Sequence, residues 1–296
     1  MRTATLSLLP LLFVACQSPM PAAPRSAAAA VEAALRGTVS AENAVADVPE
    51  AAVRAVDPEV AALLKATLRD YSVRRRVALE NLANVHTTGY KRRVVAIAPR
   101  AALGSQGTPV PVPASADACP VFSNGALFVT ERMLDLAIEG DGFFAVVLCD
   151  GSTGYTRDGR LHVDRGGKLT TTDGCVLLPE ITVPGDALEI SIDPSGRVSG
   201  RTAGSPDTST GFGQLTLALF VNPEGLLPRF GRWLQTDNSG PPCTGAPGTI
   251  GLGMLKQGCL EGSNVQFGEE MIELQALERQ YQVLTEVMQK FGLIAP

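Results

Sequence analysis

Residues 58–89, PEVAALLKATLRDYSVRRRVALENLANVHTTG, decide the architecture. Ala61, Leu64, Leu68, Tyr71, Arg75, Ala78 and Leu82 recur at spacings alternating between three and four. That is the seam of a helix built to lie against another helix, with Arg75 its one charged interruption. Pro58 stands in the first turn, where a missing N–H costs no hydrogen bond, and Gly89 supplies a stop signal. The far end repeats the pattern. Phe267, Leu274, Leu277, Tyr281, Leu284, Met288 and Phe291 keep the same phase, and Glu270 occupies the unfavourable slot. Glu269, Glu270 and Glu273 suit the positive end of a helix dipole. Each apolar stripe is too narrow for the core helix of a large domain. The two helices are therefore expected to pack on each other, with Leu64, Leu68, Tyr71 and Leu82 meeting Leu274, Leu277, Tyr281, Leu284 and Met288 along an assembly seam.

Between these helices the chain reads as β-structure. Asp-Gly recurs at 141–142, 150–151, 158–159 and 173–174, a dipeptide suited to hairpin turns because both residues tolerate positive φ. Residues 143–148 and 188–192 have strand patterns, and 214–221 reads as a buried strand. Residues 98–120 are rich in Gly, Pro, Ser and Ala around Pro-Val-Pro-Val-Pro, which predicts an extended or mobile excursion. The expected fold class is α+β: N- and C-terminal helices paired as a coiled coil, with an inserted antiparallel β-rich domain. The expected organisation is a signal-like segment at 1–16, a low-complexity tether at 17–57, paired helices at 58–91 and 259–292, an extended excursion at 92–130, and the β-rich domain at 131–258.

Composition narrows the function. Hydrophobic residues make up 45% and charged residues 19% of 296 positions, enough to bury a core. A net charge of −5 argues against nucleic acid as a partner, since phosphate binding needs a basic stripe. No run reaches the length that spans a bilayer. The histidines, His86 and His162, sit far apart without a metal-ligand cluster. No nucleophile elbow or phosphate loop is present, and Asp193-Pro194-Ser195-Gly196 lacks the remaining ligands of a calcium loop. The chain is expected not to be an enzyme and to need no cofactor or metal. A secreted β-rich hydrolase is the weakest alternative, because it requires a titratable cluster that this inventory lacks.

Residues 6–15 form an apolar run after Met1-Arg2, and Phe13-Val14-Ala15-Cys16 resembles a lipoprotein cleavage box, which implies lipidation at Cys16 and a membrane anchor. A start placed too early in the sequence is the competing explanation. Six cysteines occur, none in a CxxC pair. A Cys243–Cys259 disulfide is open if the compartment is oxidising.

Three segments resemble the flagellar rod and hook protein family. Residues 81–91, with Asn81, Asn84, Thr87, Gly89 and Lys91, are similar to its N-terminal signature, departing from it at Glu80 and His86. Residues 134–144, with Gly140, Gly142 and Phe143, resemble its central motif, followed by Tyr155-Thr156-Arg157-Asp158-Gly159. Residues 258–265, with Leu260, Glu261, Ser263, Asn264 and Val265, resemble its C-terminal signature. Asn222-Pro223-Glu224-Gly225-Leu226 and Ser239-Gly240-Pro241 point within the family to the distal rod. The resemblance implies a homo-oligomeric helical filament in the periplasmic part of the basal body, with other rod, hook and ring proteins as partners. The leader-like N-terminus leaves a second reading: an outer-membrane-anchored envelope lipoprotein that reuses the rod fold as an interaction module.

Overall fold

The computed structural model describes residues 58–96, 99–103, 109–113, 117–229, 231–249 and 251–294. The signal-like segment, Cys16 and the tether lie outside them. Two compact units emerge. Of the described residues, the first joins those from Pro58 to Tyr71 with those from Glu278 to Ile294, and the second comprises those within Ser72–Leu277. Helix α1 covers Pro58–Ala83 and helix α2 covers Phe267–Lys290.

In the first unit, Leu64, Leu284 and Met288 are buried together, with Leu68, Tyr71, Leu293 and Ile294 packed against them. Apolar residues from the two ends of the sequence thus share one cluster. Tyr281 is half-buried. The end of α2 closes as a Schellman motif: Gly292 has φ of 65°, its N–H donates to Gln289 O, and Leu293 N donates to Met288 O at 2.9 Å.

In the second unit the apolar phase shifts. Val77, Ala78 and Asn81 are the buried positions of α1, while Arg75 and Leu82 are only half-buried. Leu82 follows Leu64 by eighteen residues, five full turns, and so keeps its face; the covered side changes because new neighbours pack here, with Asn81 bonded to Arg93 and Glu270. On α2, Glu270, Leu274 and Leu277 are buried, but Phe267 is 57% exposed. The slot that looked unfavourable for Glu270 is an ion-pair position. Helix α1 also stops at Ala83, before Gly89. Asn84 Nδ2 donates to Glu80 O at 2.7 Å and replaces the next helical N–H. Gly89, at φ 68°, instead lets its backbone press on the Arg157–Asp158 peptide, where a Cβ would lie 2.6 Å from Asp158 N.

The body is antiparallel throughout. A seven-stranded sheet runs Leu227–Arg229, Arg232–Leu234, Thr153–Thr156, Phe144–Val147, Val176–Leu178, Leu169–Thr171 and Leu161–Val163. A three-stranded sheet is made by Ala187–Ile192, Arg197–Thr202 and Ser205–Gln214. The described parts of the Gly/Pro-rich region are paired strands, Arg93–Ala96 with Asp117–Pro120 and Pro99–Leu103 with Pro109–Pro113. Leu127–Val129 pairs with Cys259–Glu261, and Leu136–Glu139 with Met254–Gln257.

Side-chain alternation explains why residues 143–147 are apolar without interruption. Phe144 and Val146 enter an aliphatic core with Leu136, Ile138, Leu161, Leu169, Leu177 and Leu215. Phe143 and Ala145 point the other way, into a cluster with Tyr155, Phe220 and Trp233. There the rings meet edge to face, Tyr155 and Phe220 at 4.7 Å between centroids. A strand covered on both faces loses its polar alternation.

Three local expectations are corrected. The buried strand expected at 214–221 is only Leu217–Leu219, and Val221 is 94% exposed. Gln214 ends the preceding strand, which bonds elsewhere. Asp150-Gly151 and Asp173-Gly174 do turn hairpins of the large sheet, with Gly φ of 80° and 81°. Asp158-Gly159 does not turn one, because Gly159 is there to let Leu136 O approach. Cys243 and Cys259 are not bridged: Cys243 is exposed beside Leu219, whereas Cys259 is buried beside Val129.

Gly159→Ala is expected to lower stability by about 2–4 kcal/mol, because a Cβ would fall 1.7 Å from Leu136 O. Urea denaturation checks it against Gly185→Ala, where nothing lies within 4 Å.

Candidate functional site

The three signature segments converge on one carboxylate. Glu261, in the strand Cys259–Glu261, is fully buried, and its two oxygens take different cations. Oε1 accepts from Lys91 Nζ at 2.7 Å and from Gly125 N at 2.9 Å. Oε2 accepts from Arg157 Nε at 2.7 Å. Lys91 is 1% and Arg157 3% exposed, so all three charges sit away from water.

Backbone oxygens hold what remains of the positive charge. Lys91 Nζ also donates to Ser123 O at 2.8 Å. Arg157 Nη1 donates to Gly140 O at 2.9 Å and Gly142 O at 2.6 Å, and Nη2 to Asn124 Oδ1 at 2.9 Å. Gly140 and Gly142 have φ of 115° and 124°, a region L side chains avoid. The Glu-Gly-Asp-Gly-Phe stretch thus turns its carbonyls onto the guanidinium. Phe143, next in sequence, anchors the aromatic cluster.

A second polar layer flanks this clasp. Asn81 Oδ1 accepts from Arg93 N at 2.9 Å and Tyr90 Oη at 3.2 Å, while Nδ2 donates to Arg93 O and to Glu270 Oε2. Arg92 pairs with Glu270, which is 1% exposed. Asn264 accepts from Arg92 N through Oδ1 and donates from Nδ2 to Val121 O at 2.8 Å and Ser123 Oγ at 2.9 Å. Gly89 N donates to Glu261 O at 2.8 Å. Asn84 and Thr87 bond to each other in the exposed turn after α1, at 3.1 Å. Ser263 Oγ accepts from Val265 N, and Val265 is buried. Burial first of all pushes the Tyr90 hydroxyl up to about 12.

The partners titrate asymmetrically because one carboxylate serves two cations. Burial opposes ionisation of Glu261, but Arg157 and Lys91 outweigh it and hold the carboxyl below its ordinary value of 4.5. Lys91 must share that carboxylate, so burial dominates and lowers its ammonium from 10.5. Every strong donor in the clasp has a fixed acceptor, so the chemistry is that of a lock. Among the described residues no group of three or more His, Cys, Asp or Glu is arranged to hold a metal ion.

Sequence reading singled out Lys91, Asn81 and Asn264, but gave neither Glu261 nor Arg157 its role as counter-charge, and it read Glu270 as an unfavourable seam slot that suits the helix dipole, not as a buried ion-pair partner. The available signal was a charge lodged among small and apolar residues: Glu261 between Leu260 and Gly262. The assembly seam is divided. Leu64, Leu68, Tyr71, Leu284 and Met288 contribute to one cluster, while Leu274 and Leu277 are buried in α2.

Glu261→Gln is expected to cost about 3–5 kcal/mol, since it strands two buried cations. A depressed native pKa contributes stability above 4.5 that is lost as pH falls through the native value. The gap between wild type and Glu261→Gln should therefore narrow in acid; urea melts across pH 3–7 check both, and a constant gap would contradict the assignment.

Comparison with known proteins gives these segments a context. Residues 137–200 match the family model described as the flagellar hook protein FlgE/F/G D1 domain, and residues 256–291 match the flagellar basal body rod FlgEFG protein C-terminal model. The chain is 35% identical over 229 residues to the flagellar basal-body rod protein FlgG of Agrobacterium fabrum, covering 72% of this chain and 87% of that one. It is 34% identical to FlgG of Bacillus subtilis over 75% of this chain and 90% of the relative. Against the rod protein FlgF of Escherichia coli the identity is 32%, over 72% and 85%. With relatives at this identity covered over most of their length, the chain belongs to the flagellar basal-body rod protein family.

Proposed function

We propose that this chain is a structural subunit of the distal rod of the flagellar basal body, polymerising through its terminal helices into a helical tube that transmits torque. The observation that carries the reading is the clasp around Glu261. It ties the turn after α1, the large sheet through Arg157, and the strand leading to α2 into one buried knot. A torque-bearing subunit needs such a joint between its helices and its body, because a hinge there would absorb rotation.

Coiled-coil pairing of the terminal helices is part of the same proposal, and the shared cluster of Leu64, Leu284 and Met288 supports it. Contacts between unlike surfaces whose rotation does not close generate open filaments. The partners would be further copies of this chain together with neighbouring rod, hook and ring proteins, in the periplasm. A second reading, an envelope lipoprotein anchored at Cys16, is favoured by the apolar run and Cys16 alone. The mass of the native N-terminus separates the two: a diacylated Cys16 supports the anchor, and a terminus near residues 50–60 removes it.

Leu284→Asp is expected to abolish sedimentable polymers of the purified chain while leaving the strand signal of the body intact, since Leu284 is fully buried among residues of both helices. Polymers formed as well as wild type would overturn the helix-mediated assembly.

A further inference from the structure

The two helices carry opposite charge. Helix α1 holds five Lys or Arg against three Asp or Glu, whereas α2 holds five acids against two cations. The α2 acids Glu270 and Glu273 are taken by Arg92, which lies outside α1. Arg76 of α1 reaches only Glu80 of its own helix among the described residues, at 4.0 Å with 70% of its side chain exposed. Glu269 of α2 is exposed and joins none of the ion pairs formed among the described residues.

Each of these exposed charges has an apolar neighbour one turn further on. Leu79 follows Arg76 by three residues and is 47% exposed. Ile272 follows Glu269 by three residues and is 71% exposed. Residues three apart share a helix face. Each helix therefore presents a branched aliphatic side chain beside an exposed charge, and the two charges are opposite in sign.

We infer that the Arg76–Leu79 face of α1 docks on the Glu269–Ile272 face of α2 in a second copy of this chain. This rests on the proposed assembly and names the surface that builds it. Charge complementarity selects the occupant: every copy carries one face of each sign, so a contact made by α1 leaves its own α2 face open for the next copy. Matching α1 to α1 would instead bring arginine against arginine. Leu79 and Ile272 supply apolar burial, and the charges decide which faces meet, as polar rims do at interfaces in general.

The experiment uses the purified full chain and reads the critical concentration for sedimentable polymer at roughly 0.1 M and 1 M ionic strength. Arg76→Glu leaves both faces acidic, and Glu269→Lys leaves both basic. Each alone should raise the critical concentration roughly threefold to tenfold at low salt, with the difference shrinking at high salt. An equal mixture of the two variants should return to the wild-type value, because acidic faces then meet basic ones. Circular dichroism of the monomers establishes that both exposed substitutions fold. A mixture no better than its components, or variants assembling like wild type, overturns the docking while the assembly reading stands. If the wild-type chain forms no polymer under any of these conditions, both fall together.

Discussion

Everything in the larger unit hangs on a carboxylate that water cannot reach. Glu261 is buried with two cations, and removing such charges from water is costly unless geometry and further hydrogen bonds compensate. Here they do. Four backbone carbonyls and a side-chain amide oxygen receive the donors that Glu261 cannot accept. Those acceptors come from strand 136–139, the turn after it, and the segment before strand 127–129. The price of burying charge is thereby converted into directional contacts that apolar packing would not supply.

That constraint explains features that look unrelated along the chain. Gly89 must be glycine because the segment carrying Lys91 passes against the Arg157–Asp158 backbone. Gly140 and Gly142 must reach positive φ to aim their carbonyls at Arg157. Gly125 brings its N–H to Glu261, and a Cβ there would fall 2.1 Å from Gly262 O. These positions are spread over more than 50 residues yet answer to a single carboxylate. The second layer extends the same logic: Asn81 and Glu270, one on each helix, bond to each other and to Arg92 or Arg93.

Beside this polar knot the large sheet separates two cores. Phe143 and Phe144 are adjacent in sequence and enter different clusters, one aromatic and one aliphatic. The sheet is thus buried on both sides near the clasp, and Arg157, at the end of strand 153–156, is delivered to Glu261 by a backbone with little freedom to shift. A rod subunit needs that stiffness more than it needs a pocket.

The sequence by itself determined the two terminal helices, the antiparallel body between them and the family, because helical periodicity, Asp-Gly turns and the three signatures are local patterns. It also marked Asn81, Lys91 and Asn264. It placed Ala78 correctly in the buried stripe but chose Arg75 and Leu82 where the helix buries Val77 and Asn81, since the covered side of a helix depends on what packs against it at that point. It read Gly89 as a helix stop and Gly159 as a hairpin turn, although both exist for backbone contacts far along the chain. Only the tertiary structure decided that Glu261 answers Lys91 and Arg157, and that Glu270 belongs inside. A counter-charge is defined by distance through space, and nothing in the spacing of residues 91, 157 and 261 encodes it.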